Sequence, residues 1–443
     1  MREHLRQAGL STIAWLLIIA LVIVAAGGFY YVARRPQQAA QPQRVGGSVS
    51  VVGVWGGSEL ESFLAMVKPF EEATGVKVEF EGTRDLNAVL TTRIQGGNPP
   101  DVAGLPGPGQ LAEFARAGQL VALDDVLDLT AMKEQYAQSW IDLATVDGKV
   151  YGVFIKAALK GLIWYSPKAF QAAGYQVPQT WDELLKLTEQ ITGERKTPWC
   201  IGLESGAASG WPATDWIEDI VLRAAGPDTY DRWYRHEIPW TEPAIRNAWD
   251  QFGKIAASPN VYGGTQAVLA TNFGESPFPL FTDPPGCYLH HQATFIQDFI
   301  QKQYPNLTPG EDFDFFAFPA IDPNVPKAVE AGGDLFGMFK DTPQARALMK
   351  YLTTPEAQAI WVKRGGALSP NRRVSPDEYP DPLSRRAAEI LTSADVARFD
   401  ASDLMPEAVN SAFWKGTLDY VQAPNRLDEI LQSIEQTAAE AYK

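Results

Sequence analysis

The sequence predicts an α/β protein of two lobes, with the chain crossing from one lobe to the other along residues 150–165. Three observations carry that reading. First, the run VYGVFIKAALKGLIWY holds sixteen largely apolar, β-branched and aromatic residues, interrupted by Lys156 and Lys160. A buried strand usually takes about 4–8 residues, so sixteen suit two strands end to end, with a hinge near 156–160. Second, the chain before the run reads strand, helix, strand, a parallel unit, so each lobe is expected to carry a mainly parallel sheet flanked by helices. Third, helix and strand patterns resume after Ser166-Pro167. The alternative is one strand and a loop inside a single domain.

The elements follow in order. Residues 49–54 form a buried strand. Ser58 and Glu61 fit a capping box, and Leu60, Phe63, Leu64, Val67 and Phe70 keep helical spacing until Gly75. Val76, Val78 and Phe80 alternate with charges as a second strand. Asp85 is placed to cap a helix lined by Leu86, Val89, Leu90 and Ile94, which the GGNPP turn at 96–100 breaks. A short strand at 101–105 and a helix at 110–117 follow. Beyond the crossing, Thr180 and Glu183 form another capping box opening a helix to about 191. Residues 199–203 read as a strand, 205–215 as a loop with Trp211, and 216–225, 242–257 and 294–304 as helices. Residues 313–318 are an aromatic strand, and 332–339 read as a turn and then a strand. Helices at 342–352 and 355–363 precede a tail, 382–443, that is mostly helical.

Composition narrows the class. With 53 acidic and 38 basic residues the net charge is −15, which argues against nucleic acid as a partner. From Leu10 to Val32 no residue is charged, 23 positions, enough to span a bilayer. The expected organisation is a cytoplasmic n-region at 1–9, a transmembrane anchor at 10–32 with the remainder extracytoplasmic, and a flexible linker at 33–47. A cleaved signal ending at Val24-Ala25-Ala26, leaving a secreted or periplasmic protein, is the alternative. Cys200 and Cys287 are the only cysteines. Two cysteines in an exported chain suggest one disulfide, the alternative being two buried thiols.

Seven stretches together carry a resemblance: GTRDLN (82–87), GGNPPDVA (96–103), TVDGKVYGVF (145–154), TWDEL (180–184), SGWPATDWIED (209–219), GGD (332–334) and SPN (369–371). In their order and spacing the chain resembles the extracellular solute-binding proteins of ATP-driven sugar importers, the maltose-binding-protein-like family, and within it the α-glucoside-binding receptors. The resemblance spans roughly 47–376. It implies a type II periplasmic-binding-protein fold with a ligand cleft between lobes that close on a sugar. It implies lobe 1 at 48–158 plus 327–365 and lobe 2 at 159–326 plus 366–443. The ligand implied is a neutral, α-linked di- or oligosaccharide. The partners are permease subunits with a separate ATPase, since no G-x-x-x-x-G-K-[ST] occurs here. A monomer without cofactor or metal is expected.

Sugars offer hydroxyls to polar groups and ring faces to aromatics. Trp211, Asp215 and Trp216 supply both kinds within six residues, or else start a packed helix with Asp215 as its cap. Asp101 stands beside a strand and either accepts sugar hydroxyls or caps the Pro-Pro break. Glu59 lies in the first turn of a helix, where a carboxylate is favoured regardless of ligand. Arg84 is a donor, a brace for Asp101 or a surface side chain. Gly332 and Gly333 allow a close backbone approach, with Asp334 beside them. Lys156 and Lys160 reach the cleft or extend to the surface. His290 and His291 are adjacent and tend to point apart, which disfavours a metal site. No G-x-S-x-G is present. Two other classes stay open: a glycoside hydrolase using carboxylates among Asp101, Asp215 and Asp334, and a tethered sugar sensor for a signalling partner.

Overall fold

Strand β1 (Ser48–Gly53) is an inner strand of the first sheet, and its Val49, Val51 and Val52 are all buried. The computed structural model describes residues 44–443 apart from Ser258 and Asp395. The expected n-region and membrane segment lie outside the described residues, among which no helix is long and apolar enough to cross a membrane. From β1 the chain runs through α1 (Gly57–Thr74), β2 (Lys77–Gly82), α2 (Leu86–Gln95), β3 (Val102–Leu105) and α3 (Pro108–Arg116). Both β2 and β3 pair with β1 in parallel, Ser48 opposite Lys77 and Val51 opposite Val102.

The run at 150–165 is two strands, β4 (Gly152–Leu159) and β5 (Leu162–Tyr165), joined by Lys160-Gly161. They belong to different sheets. β5 sits between β6 (His290–His291) and β7 (Asp314–Ala317), antiparallel to both. The chain returns from β7 into β8 (Ala328–Met338), which pairs antiparallel with β4 and with β3. An outgoing pair β4–β5 thus lies against a returning pair β7–β8, and the crossing is antiparallel on both sides. For that reason the named ladder of the second sheet is antiparallel, and parallel pairing there is confined to isolated bridges such as Trp199 with Leu289. The first sheet, in order β9-β8-β3-β1-β2, ends on β9 (Val396–Phe399), parallel to β8. This strand sits in the tail that the sequence reads as mostly helical and assigns to the second lobe.

Several local expectations change. α1 begins at Gly57 with Gly56 as an uncapped N-cap, so Ser58 and Glu61 form no capping box; Glu61 pairs instead with Lys302 at 3.0 Å. Asp85 holds the N-cap position of α2 but makes no side-chain cap bond. At Thr180 the cap forms and the box is shifted by one residue: Thr180 Oγ1 accepts from Glu183 N at 3.3 Å, while Glu183 Oε2 accepts from Gln179 N, just before the cap, at 2.7 Å. Gly332-Gly333 is not a turn but the middle of β8. A Cβ on Gly332 would meet Lys160 Cε at 2.9 Å, and one on Gly333 would meet the Lys156 carbonyl at 2.7 Å. Glycine is required here by close approach to the crossing strand.

Each lobe has its own core. In the first, Phe63, Met66 and Val67 of α1 pack on Val49, Val51, Phe336 and Trp361. In the second, α4 (Trp211–Ala224), α5 (Pro243–Ala256), α6 (Glu407–Gln422) and α7 (Leu427–Ala441) bury Trp216, Trp249, Phe413 and Ile434 together. Cys200 and Cys287 are bonded, with Cα atoms 5.6 Å apart, and pack under β5 against Trp164. Closing a loop of this length removes about 4.6 kcal/mol of unfolded-state entropy in the chain-entropy model. Replacing both cysteines by serine is expected to lower stability by up to about that amount in urea melts.

Candidate ligand-binding cleft

Strand periodicity explains how the crossing lines a cavity. Alternate side chains of a strand share a face, so Lys156, Ala158 and Lys160 point one way while Ala157 and Leu159 enter the core beneath. The lysine face opens on a cavity of about 540 Å³ between the lobes. From the first lobe the wall takes Trp55, Glu59, Arg84, Gly332, Gly333 and Asp334. From the second it takes Trp211, Asp215, Phe273, Phe295 and Trp414, and from the segment after β9 Asp400, Ser402, Asp403 and Glu407.

Two buried ion-pair groups form the polar wall. Lys156, 4% exposed, pairs with Glu59 from the first turn of α1 and with Asp334 Oδ2 at 3.4 Å. Its Nζ also lies 5.1 Å from the Trp361 ring and 5.6 Å from the Trp55 ring. Burial pulls the Lys156 ammonium down, but the facing Glu59 and Asp334 carboxylates outweigh it and hold its pKa above the ordinary value. Lys160 pairs with Asp215 Oδ1 at 2.9 Å and with Asp400. Burial raises the Asp215 carboxyl to about 7 against the pull of Lys160. Asp400 stays below the carboxylate range despite burial because Lys160, the Asp403 N–H and the Ser402 hydroxyl all serve it.

Helix phase decides which candidates meet. Gly210, at φ 108°, turns the chain into α4 under the Trp414 carbonyl, where a Cβ would sit 2.3 Å from that oxygen. Trp211 and Asp215 are four residues apart and share a face; both reach the cavity, with the Trp211 ring 5.2 Å from Phe273 and 5.9 Å from Lys160 Nζ. Trp216 is five residues on, about 140° round the helix at roughly 100° per residue. It lies in the core, 1% exposed, against Trp199 and His291, and is not a cavity residue. Asp101 is also outside the cavity. It stands at the entry of β3, the opposite end of the strand from the cleft, where Oδ2 accepts from Ser50 N at 2.8 Å and Ser50 Oγ at 2.7 Å. Arg84 does not brace it: its guanidinium lies 4.9 Å over the Phe273 ring of the other lobe. Glu59, Arg84, Trp211, Asp215, Gly332, Gly333 and Asp334 are brought together. Phe273, Phe295, Asp400 and Asp403 were not found from the sequence.

Behind Lys160 lies a second layer of carboxylates. Asp219 pairs with Arg223 and accepts from His291 Nε2 at 2.8 Å; burial keeps the His291 pKa below normal, so the ring is neutral. Glu218 Oε1 accepts from Ser402 N at 3.0 Å, while its Oε2 and both oxygens of Glu330 have no donor among the described residues. Asp215, Glu218, Asp219, Glu330 and Asp400 share two cations, Lys160 and Arg223, so five ionised carboxylates would leave a buried excess of negative charge. Burial therefore pushes Glu218 and Glu330 well above the ordinary value and keeps them protonated. The sign follows: a carboxyl with a raised folded pKa contributes stability fully below its unfolded value near 4.5, and loses it as pH rises toward the folded pKa. Glu330→Gln, which fixes the neutral form, is expected to gain stability relative to wild type between pH 5 and pH 9, by on the order of 1.4 kcal/mol per pH unit until the folded pKa is passed. Urea melts at the two pH values check it.

The family described as bacterial extracellular solute-binding protein matches residues 56–359. The osmoprotective compounds-binding protein GgtB of Synechocystis sp. is 44% identical over 391 residues, 88% of this chain and 92% of that protein. The alpha-glucosides-binding periplasmic protein AglE of Rhizobium meliloti is 41% identical over 393 residues, covering 86% and 85%. Among solved structures, the bacterial solute receptor AcbH superposes with a TM-score of 0.76 at 22% identity over 90% of this chain and all of that one. Maltose-bound MalE3 of T. maritima does so at 0.69 and 17%, over 89% and 99%. At such identities the likeness is one of fold, the two-lobed type II architecture.

Proposed function

Because the chain belongs to the bacterial extracellular solute-binding proteins, we propose that the ligand of its cleft is a neutral, α-linked di- or oligosaccharide. The chain is the extracytoplasmic binding component of an ATP-driven importer. Its partners are permease subunits, with the ATPase on another chain.

The observation that carries the sugar reading is the composition of one cavity wall. Trp211, Phe273 and Phe295 offer ring faces, and beside them the carboxylates of Glu59, Asp334, Asp215 and Asp400 are held by Lys156 and Lys160. Groups fixed before the ligand arrives need little ordering when hydroxyls reach them. AglE, at 41% identity, is named for binding α-glucosides, and that supports the same class here. Asp215 and Asp334 are both tied to lysines, which favours binding over hydrolysis; the tethered sensor gains no particular support. The uncharged run at 10–32 supports a membrane tether, and a monomer is the expected state.

Ligand contacts to both faces favour the closed form by differential affinity. A thermal-shift panel of maltose, trehalose and sucrose is expected to raise the melting temperature for at least one sugar; a shift with a peptide or polyamine alone contradicts the reading. Trp211→Ala removes a stacking face and its buried area, and is expected to weaken that sugar roughly 30- to 1,000-fold by calorimetry with the fold intact. Unchanged affinity would remove Trp211 from the site.

A further inference from the structure

A second cavity, of about 470 Å³, lies behind the crossing, on the face turned away from the cleft. Strand alternation puts it there: Ala158 and Lys160 face the cleft, so Leu159 and Gly161 face the other way. Its floor is apolar, with Leu162 from the outgoing strands, Phe316, Phe318 and Val325 from the returning chain, and Ile390 from the helix Pro382–Ser393. Small-molecule sites span roughly 300–1,000 Å³, and this volume falls among them.

One polar group in that wall is firmly held and only partly used. Arg223, 8% exposed, is anchored on α4 by Asp219: its Nη1 donates to Asp219 Oδ1 and, at 3.2 Å, to the Asp219 carbonyl. Its Nε and Nη2 have no acceptor among the described residues. The guanidinium carbon lies 5.0 Å over the Phe318 ring, and Nη2 is 2.9 Å from where a Cβ on Gly161 would sit. Gly161 and Phe318 both belong to the wall, so the unused edge borders the cavity. Gly161, at φ 66°, carries no side chain that could cover it.

The charges agree with this. Seven carboxylates and three cations line the cleft. Behind the crossing, Asp322 is the one carboxylate among the described wall residues, against Lys160, Arg223 and Lys327. Lys160 is committed to Asp215 and Asp400. Asp322 Oδ1 is committed too, accepting from Asn324 N at 2.8 Å and Asn324 Nδ2 at 2.9 Å. The free edge of Arg223 and the exposed Lys327 at the rim are what a ligand's charge would meet.

We propose that this cavity is a second ligand site, for a monocarboxylate with a compact apolar body: the carboxylate meets the free edge of Arg223, and the body fills the apolar floor. A planar guanidinium edge matches the two oxygens of a carboxylate, and a buried donor without an acceptor costs free energy until one reaches it. The site does not depend on what the cleft binds.

Calorimetry on the full chain, without sugar, tests it with benzoate, phenylacetate and 4-methylpentanoate, each against its own neutral amide. At least one carboxylate is expected to bind one to one, and its amide at least about tenfold more weakly. Arg223→Lys keeps a cation beside Asp219 but lacks the second edge, and is expected to shrink that ratio about tenfold or more, which a merely structural role would not do. Lys327→Glu, an exposed change, is expected to weaken the carboxylate as well, and Trp211→Ala, in the cleft, to leave it unchanged. Circular dichroism follows all three. No binding by any of the carboxylates, equal binding of the amide, or loss of binding in folded Trp211→Ala overturns the inference. So does a ratio unchanged in folded Arg223→Lys. If Arg223→Lys does not fold, Lys327→Glu decides, and unchanged carboxylate affinity there overturns it.

Discussion

Lys160 is the charge that the crossing depends on. It occupies the single link between β4 and β5, and it faces Asp215 from α4 and Asp400 from the exit of β9. Three segments far apart in sequence therefore meet on one ammonium. Removing a partner from a buried pair leaves an uncompensated charge, which costs about 3–5 kcal/mol, far more than an exposed pair returns. The surrounding structure follows from this. Gly332 is bare because Lys160 lies over it, and Ser402 is held by Glu218 so that Asp400 stays in place.

The same arrangement suits a receptor. A sugar presents hydroxyls in every direction and little charge, so a site for it needs many oriented acceptors without a net ionic reaction on binding. Carboxylates alone would repel one another and protonate. Carboxylates paired with a buried lysine are held in place, and Lys160 keeps Asp400 below the ordinary carboxylate range while its other partner, Asp215, is raised to about 7 by burial. Lys156 repeats the device in the first lobe with Glu59 and Asp334. Aromatic rings of the cavity wall also bound these ammonium groups, Trp211 beside Lys160 and Trp55 beside Lys156. Both groups sit at the crossing between lobes, Lys156 within β4 and Lys160 in the link to β5.

What was legible in the sequence is what short-range rules determine. The crossing was readable because sixteen residues exceed one strand, and the Thr180 cap because both partners lie within four residues. The phase of α4 was also available: a tryptophan four residues before Asp215 shares its face, and Trp216 does not, yet proximity in sequence grouped all three. Asp101 was misread because its partner, Ser50, is 51 residues upstream and visible only once β1 and β3 pair. Asp400 and Asp403 were missed for the same reason. They reach the cleft because the four residues of β9 join β8, and such a strand inside a helical tail has too little pattern to stand out. Gly332-Gly333 suggested a turn, since glycine pairs usually mark one, whereas here they clear space for two lysines of another strand.

The central claim, that Lys160 binds these segments through its carboxylates, is tested most directly by a double-mutant cycle between Lys160→Met and Asp400→Asn, measured by urea unfolding at neutral pH. Asp215, already at about 7, can neutralise by protonation once the ammonium is gone, so the residual charge is Asp400. The account predicts that Lys160→Met alone is strongly destabilising, by about 3–5 kcal/mol, and that adding Asp400→Asn restores a large part of the loss. Effects that add to within about 0.5 kcal/mol would show that the two side chains do not depend on one another, and would contradict it.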